Sequence, residues 1–154
     1  MIRRFLIFLV LALLCGSASA QKHLAIGQVL DGRYRTHQAT TDVEMTGDRL
    51  RKTYHLVYYH SLTVVDDEEV MNAIAQAFAA DAANAVTRDL SHVGSNLYYG
   101  FYEYAAEEDL HRYAFFKDMR YAPGDGQQAQ VTLIYMEGYA TLRMLKQMFG
   151  SKER

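Results

Sequence analysis

The chain has 154 residues and a nearly balanced charge, with 16 Lys and Arg against 18 Asp and Glu. Its net charge of −2 argues against a nucleic-acid-binding protein, which presents a basic surface to phosphates. The single cysteine excludes a disulfide framework. The chain has 12 tyrosines and no tryptophan, and so many tyrosines suit half-buried strands.

The first 20 residues predict a secretory signal peptide. Arg3 and Arg4 form a short basic start, residues 5–14 are an unbroken apolar run, and Ala18-Ser19-Ala20 supplies the small residues that leader peptidases recognise. We therefore expect cleavage before Gln21 and a protein that is exported, either periplasmic or outer-membrane associated.

Two alternatives to a cleaved leader fit less well. The apolar run is shorter than the roughly 20 residues that span a bilayer, so no transmembrane helix is expected in the mature chain. A lipoprotein signal would place small residues before Cys15, but Leu13 and Leu14 stand there, which makes lipidation the poorer fit. Loss of Arg3 and Arg4 would leave a mature net charge of −4.

After the leader, the pattern predicts a short amphipathic helix and two strands. The helix is expected over Lys22–Arg35, although Gly27 and Gly32 weaken it. Thr40–Thr46 alternates as a strand, and Tyr54–Val65 is a long strand rich in aromatic and β-branched residues.

The centre of the chain predicts a long helix. Asp66 and Glu69 have the spacing of a helix-capping box, and the alanine-rich stretch Val70–Arg88 carries an apolar stripe at helical spacing. We expect this helix to pack on a sheet.

The last third predicts three strands and a closing helix. The strands are expected at Leu97–Tyr104, Leu110–Met119 and Gln130–Gly138, and the helix at Tyr139–Phe149. Short connections favour antiparallel pairing, because parallel strands need longer crossovers. Residues 21–154 are therefore expected to form a single α+β domain with about five largely antiparallel strands, and with the long central helix and the C-terminal helix packed on one face.

Three of these segments resemble a known family. They are Tyr-His-Leu-Val-Tyr-Tyr-His-Ser-Leu-Thr-Val at residues 54–64, Leu-Tyr-Tyr-Gly-Phe-Tyr at 97–102, and Val-Thr-Leu-Ile-Tyr-Met-Glu-Gly at 131–138. With the alanine-rich helix between them, they resemble a family of small exported proteins of unknown function from gut Bacteroidetes. The resemblance implies an exported domain of a Gram-negative envelope and assigns no catalytic or binding residue.

The tyrosines supply the candidate binding site. If the aliphatic side of each strand faces the helices, aromatic side chains gather on the opposite, open face. Exposed aromatic patches mark interaction sites, and tyrosine offers a large contact area. The predicted binding residues are Tyr59, Tyr98, Tyr102 and Tyr113.

The sequence predicts no metal site, cofactor or catalytic residue. His55 and His60 lie on one strand but on opposite faces, and no histidine pair has the spacing typical of zinc ligands. Gly124-x-Gly126 is followed by a strand, whereas a dinucleotide fingerprint requires a helix there.

We therefore expect a non-catalytic exported domain that binds an envelope protein, a glycan or a second copy of itself. One alternative is a small extracytoplasmic hydrolase that uses His60 or His111 with a nearby carboxylate. Another is an accessory or inhibitor subunit of an envelope transport or polysaccharide system.

Overall fold

The structure, a computed structural model, describes residues 23–124 and 126–149. The predicted leader at residues 1–20, together with Cys15, lies outside the described residues. Within the two described ranges, no helix has both the length and the apolar character needed to cross a bilayer.

A six-stranded antiparallel sheet organises the chain. The strands lie side by side in the order β1-β2-β6-β5-β4-β3, so the last strand in the chain is central. The prediction of a mixed fold with an antiparallel sheet is confirmed, with six strands in place of about five. Their bounds are β1 Thr40–Thr46, β2 Leu56–Val65, β3 Ala85–Val93, β4 Asn96–Glu107, β5 Leu110–Asp118 and β6 Gln130–Gly138.

Four α-helices accompany the sheet in the described part of the chain. They are α1 Ile26–Val29, α2 Asp48–Tyr54, α3 Glu68–Ala80 and α4 Leu142–Phe149, and 3₁₀ turns occupy Asp81–Asn84 and Met119–Tyr121. Helix α2 was not predicted, and the predicted helix at Lys22–Arg35 is reduced to the single turn of α1.

The central helix is shorter than predicted because Asp81 turns inward. Asp67 caps the start of α3 by accepting a hydrogen bond from the Val70 N–H at 3.1 Å. At the other end, the buried Asp81 carboxylate accepts hydrogen bonds from the backbone N–H groups of Ala25 at 2.7 Å and Ile26 at 2.9 Å. The chain leaves the helix there and enters β3, which the sequence had assigned partly to the helix.

The helices cover both faces of the sheet, so the prediction that they share one face is wrong. Helices α1 and α3 pack on what we call the covered face, which includes Leu62, Ala114, Phe116, Val131 and Leu133. Helices α2 and α4 pack on the opposite face, which we call the groove face and which includes Tyr113, Ile134 and Met136. Successive side chains of β5 and β6 point to opposite faces of the sheet. Because apolar residues occur on both faces, both faces must be shielded from water.

Phe78 anchors α3 to the covered face by lying flat against the sheet. Its ring stacks on Tyr102 with centroids 4.1 Å apart and on Phe116 with centroids 5.0 Å apart. The approach requires a glycine beneath it, because a Cβ at Gly100 would lie 2.7 Å from Phe78 Cζ. This contact sets the distance between α3 and the sheet.

We predict that Gly100→Ala lowers the free energy of unfolding by about 2 kcal/mol, the usual cost of overpacking a core. In a Phe78→Leu background the same substitution should cost much less, since the ring that the new Cβ meets is gone. Urea unfolding of the four proteins in a double-mutant cycle measures the coupling. Strictly additive effects would contradict the close contact.

Candidate functional site

A groove lies on the groove face, between the sheet and α4. Its volume is about 540 Å³. Strands β2 to β6 and the inner side of α4 contribute its lining. The lining residues are Tyr59, Thr87, Asp89, Tyr99, Phe101, Phe115, Lys117, Ile134, Met136, Leu142, Leu145 and Lys146.

Cross-strand aromatic contacts form the floor of the groove. Phe101 on β4 is opposite Phe115 on β5, and Phe115 is opposite Ile134 on β6. Tyr99 packs edge-on against Phe115 with ring centroids 5.4 Å apart. Such pairs fix one another's rotamers, so the floor is preformed and apolar.

Helix α4 forms one wall because its apolar side chains point at the sheet. Leu145 is buried, and Leu142 and Met144 are partly buried against the same cluster. The helix follows β6 directly, and the Tyr113 hydroxyl donates a hydrogen bond to the Ala140 carbonyl at 3.1 Å. This bond holds the β6–α4 connection on the sheet, and burial raises the pKa of Tyr113 to about 12.

Three charged side chains line the groove. Lys117 lies on β5 directly opposite Tyr99 of β4, and Lys146 lies on α4. Asp89 lies on β3, opposite Phe101. Burial raises the pKa of Tyr99, and the Asp89 carboxylate raises it further, so the Tyr99 hydroxyl remains a proton donor.

The four predicted binding tyrosines do not share a face. Tyr102 is 1 % exposed and lies beneath α3 against Phe78. Tyr113 is also buried, but on the groove face beneath the β6–α4 connection. Tyr98 is half-buried, and the Lys117 ammonium lies 5.8 Å from its ring centroid. Tyr59 alone among the four lines the groove.

The prediction that these tyrosines share one face failed because the register between the strands was not known. The alternation within β4 and β5 was assigned correctly, with Tyr99 and Phe101 on one side of β4 and Tyr102 on the other. The register pairs Tyr102 with Ala114 and Phe101 with Phe115, so Tyr102 and Tyr113 face opposite sides. Sequence reasoning also missed Lys117 and Lys146, although Lys117 shares the parity of Tyr113 and Phe115 on β5.

Apart from the groove, a cluster of polar side chains connects β1 and β2. His60 Nε2 lies 2.8 Å from Asp42 Oδ1, and His60 Nδ1 lies 3.1 Å from the Tyr58 hydroxyl. Tyr58 in turn donates to Glu44 at 2.9 Å, and Arg35 donates to the same carboxylate at 3.1 Å. These five side chains form a continuous path from a buried imidazole to the surface.

Comparison with known proteins places the chain in a family. A model described as a family of unknown function, DUF6108, matches residues 13–149. The chain belongs to this family. No curated protein and no solved structure matches it.

The two histidines considered for hydrolysis each have a carboxylate neighbour in this DUF6108 member. His60 is 1 % exposed beside Asp42, so a substrate has no access to its imidazole. His111 lies 3.9 Å from Glu103 and stacks on the buried Tyr113 ring. Neither histidine is part of the groove lining.

Neither the His60 cluster nor the His111–Glu103 pair has the composition of a metal centre. Across residues 23–124 and 126–149, no three His, Cys, Asp or Glu side chains come together as metal ligands do. In the β1–β2 cluster, burial and the Glu44 carboxylate raise the pKa of Tyr58, which keeps its hydroxyl neutral and makes it a poor nucleophile. The geometry supports a structural role for the His60 cluster.

We predict that Asp42→Ala lowers the free energy of unfolding by about 1–3 kcal/mol, because it leaves the buried His60 Nε2 without its partner. The matched control is Glu44→Ala on the same strand, which removes solvent-exposed contacts and should cost less than about 1 kcal/mol. Thermal or urea unfolding at neutral pH measures both. Equal losses in the two variants would contradict a buried structural pair.

Proposed function

We propose that this protein is a non-catalytic binding protein of the bacterial envelope whose groove holds a small, largely apolar molecule. The observation that carries this proposal is the groove between the sheet and α4. Its volume of about 540 Å³ lies within the range of small-molecule sites in proteins, about 300–1,000 Å³.

The chemistry of the lining supports an apolar ligand. Phe101, Phe115, Ile134, Met136 and Leu145 offer rings and aliphatic chains, and the charged residues lie among them at few positions. Binding sites with this composition derive affinity from apolar burial and orientation from a few polar groups.

A small apolar ligand fits the groove better than the partners considered from the sequence. An envelope protein or a second copy would need an open aromatic face, but Tyr102 and Tyr113 are buried. A glycan would need many hydrogen-bonding groups, whereas most of the lining is hydrocarbon.

We propose that the protein acts in the bacterial envelope after export. The basic, apolar and small-residue pattern of residues 1–20 supports a cleaved leader. The resemblance of the strand segments favours the envelope of a Gram-negative gut Bacteroidetes, either in the periplasm or at the outer membrane. In that compartment, apolar molecules need a protein that shields them from water.

We predict that the neutral probe N-phenyl-1-naphthylamine binds the protein with a rise in fluorescence. Ile134→Gln, which places an amide on the groove floor, should weaken this binding about tenfold, since an apolar contact is worth about 1–2 kcal/mol. Fluorescence titration measures both affinities, and circular dichroism shows that the variant is folded.

The matched control is Val86→Gln on β3, a side chain that is 65 % exposed and outside the groove lining. It should bind the probe as the unmodified protein does. Absence of binding to the unmodified protein, or an equal loss in the Val86 variant, would contradict the proposed function.

A further inference from the structure

We infer that the ligand of the groove carries an anionic head group on its apolar body, as a fatty-acid-like carboxylate does. This inference rests on the proposed function and names the ligand class of the same groove. It follows from the placement of two lysines in a lining that is otherwise mostly apolar.

The two lysines reach the groove from different elements. Lys117 extends from β5 in the floor, in the row of Tyr99 and Thr132. Lys146 extends from α4, which forms the wall. The lining therefore offers an anionic head group one ammonium group on the sheet and another on the helix.

Neither lysine has a carboxylate partner within the described residues. The ion pairs there join other side chains, and Lys117 makes a cation–π contact with Tyr98 at 5.8 Å from the ring centroid. The flexible hydrocarbon stems of lysine can lie along apolar walls while the ammonium groups meet the charge of a ligand.

The charge balance of the lining favours an anion over a cation. Asp89 is the one acidic side chain among the lining residues, and it lies on β3 with β4 between it and Lys117. Two lysines against one aspartate give the lining a net charge of +1. Since apolar surroundings lower the local dielectric, this charge acts more strongly on a bound head group than it would in water.

A test compares three twelve-carbon amphiphiles that differ in head-group charge: dodecanoate, dodecyl maltoside and dodecyltrimethylammonium. Each is used, below the concentration at which it forms micelles, to displace N-phenyl-1-naphthylamine from the protein. We expect dodecanoate to displace the probe at the lowest concentration, and its apparent affinity to fall as salt is added.

The decisive variant combines Lys117→Gln and Lys146→Gln. It should bind dodecanoate about fivefold more weakly, as expected for the loss of two partly exposed ion pairs, and bind dodecyl maltoside unchanged. The matched control is Lys52→Gln on α2, outside the groove lining, which should leave all three affinities unchanged.

The outcomes separate this inference from the proposed function. Equal displacement by all three amphiphiles, or a double variant that keeps its preference for dodecanoate, overturns the anionic head group while the groove remains a binding site. Failure of the probe to bind overturns both. A dimer in light scattering that the probe dissociates also overturns both, because a second copy would then occupy the groove.

Discussion

The structure depends on one constraint, which is that the sheet is wider than the helices on its second face. Six strands at about 4.8 Å spacing give a layer about 24 Å across. On the second face, α2 packs at the β1–β2 edge, and the eight residues of α4 span about 12 Å. Helix α3 and α1 cover the first face with a dense aromatic core around Phe78. On the second face, α4 covers part of the sheet, and the remaining apolar floor becomes a groove.

The division of roles between the two faces follows from alternation along β4, β5 and β6. Residues of one parity, such as Tyr102 and Phe116, are fixed beneath α3 by ring stacking. Residues on the other side of these strands, such as Phe101 and Phe115, line the groove. The packing of α3 holds the sheet in place on the covered face, and the groove face keeps an apolar surface.

The sequence predicted the strands well and their assembly less well. β1 and β6 were placed at their observed bounds, because alternation and β-branched residues mark them locally. Three features depended on contacts between distant segments and could not be predicted: the end of α3 at Asp81, which bonds to Ala25 and Ile26; the register that separates Tyr102 from Tyr113; and the packing of α4 on the second face. The groove depends on the strand register and on the packing of α4. For this reason Tyr59 is the one lining residue that was predicted as a site residue.

A methyl-resolved NMR titration of the protein with dodecanoate tests most directly whether the groove binds a ligand. We predict saturable shifts of the methyl groups of Ile134, Met136, Leu142 and Leu145, which line the groove, and little change at Leu62, Val64 and Leu133 on the covered face. Shifts concentrated on the covered face, or no saturable shift at any of these methyl groups, would contradict binding in the groove.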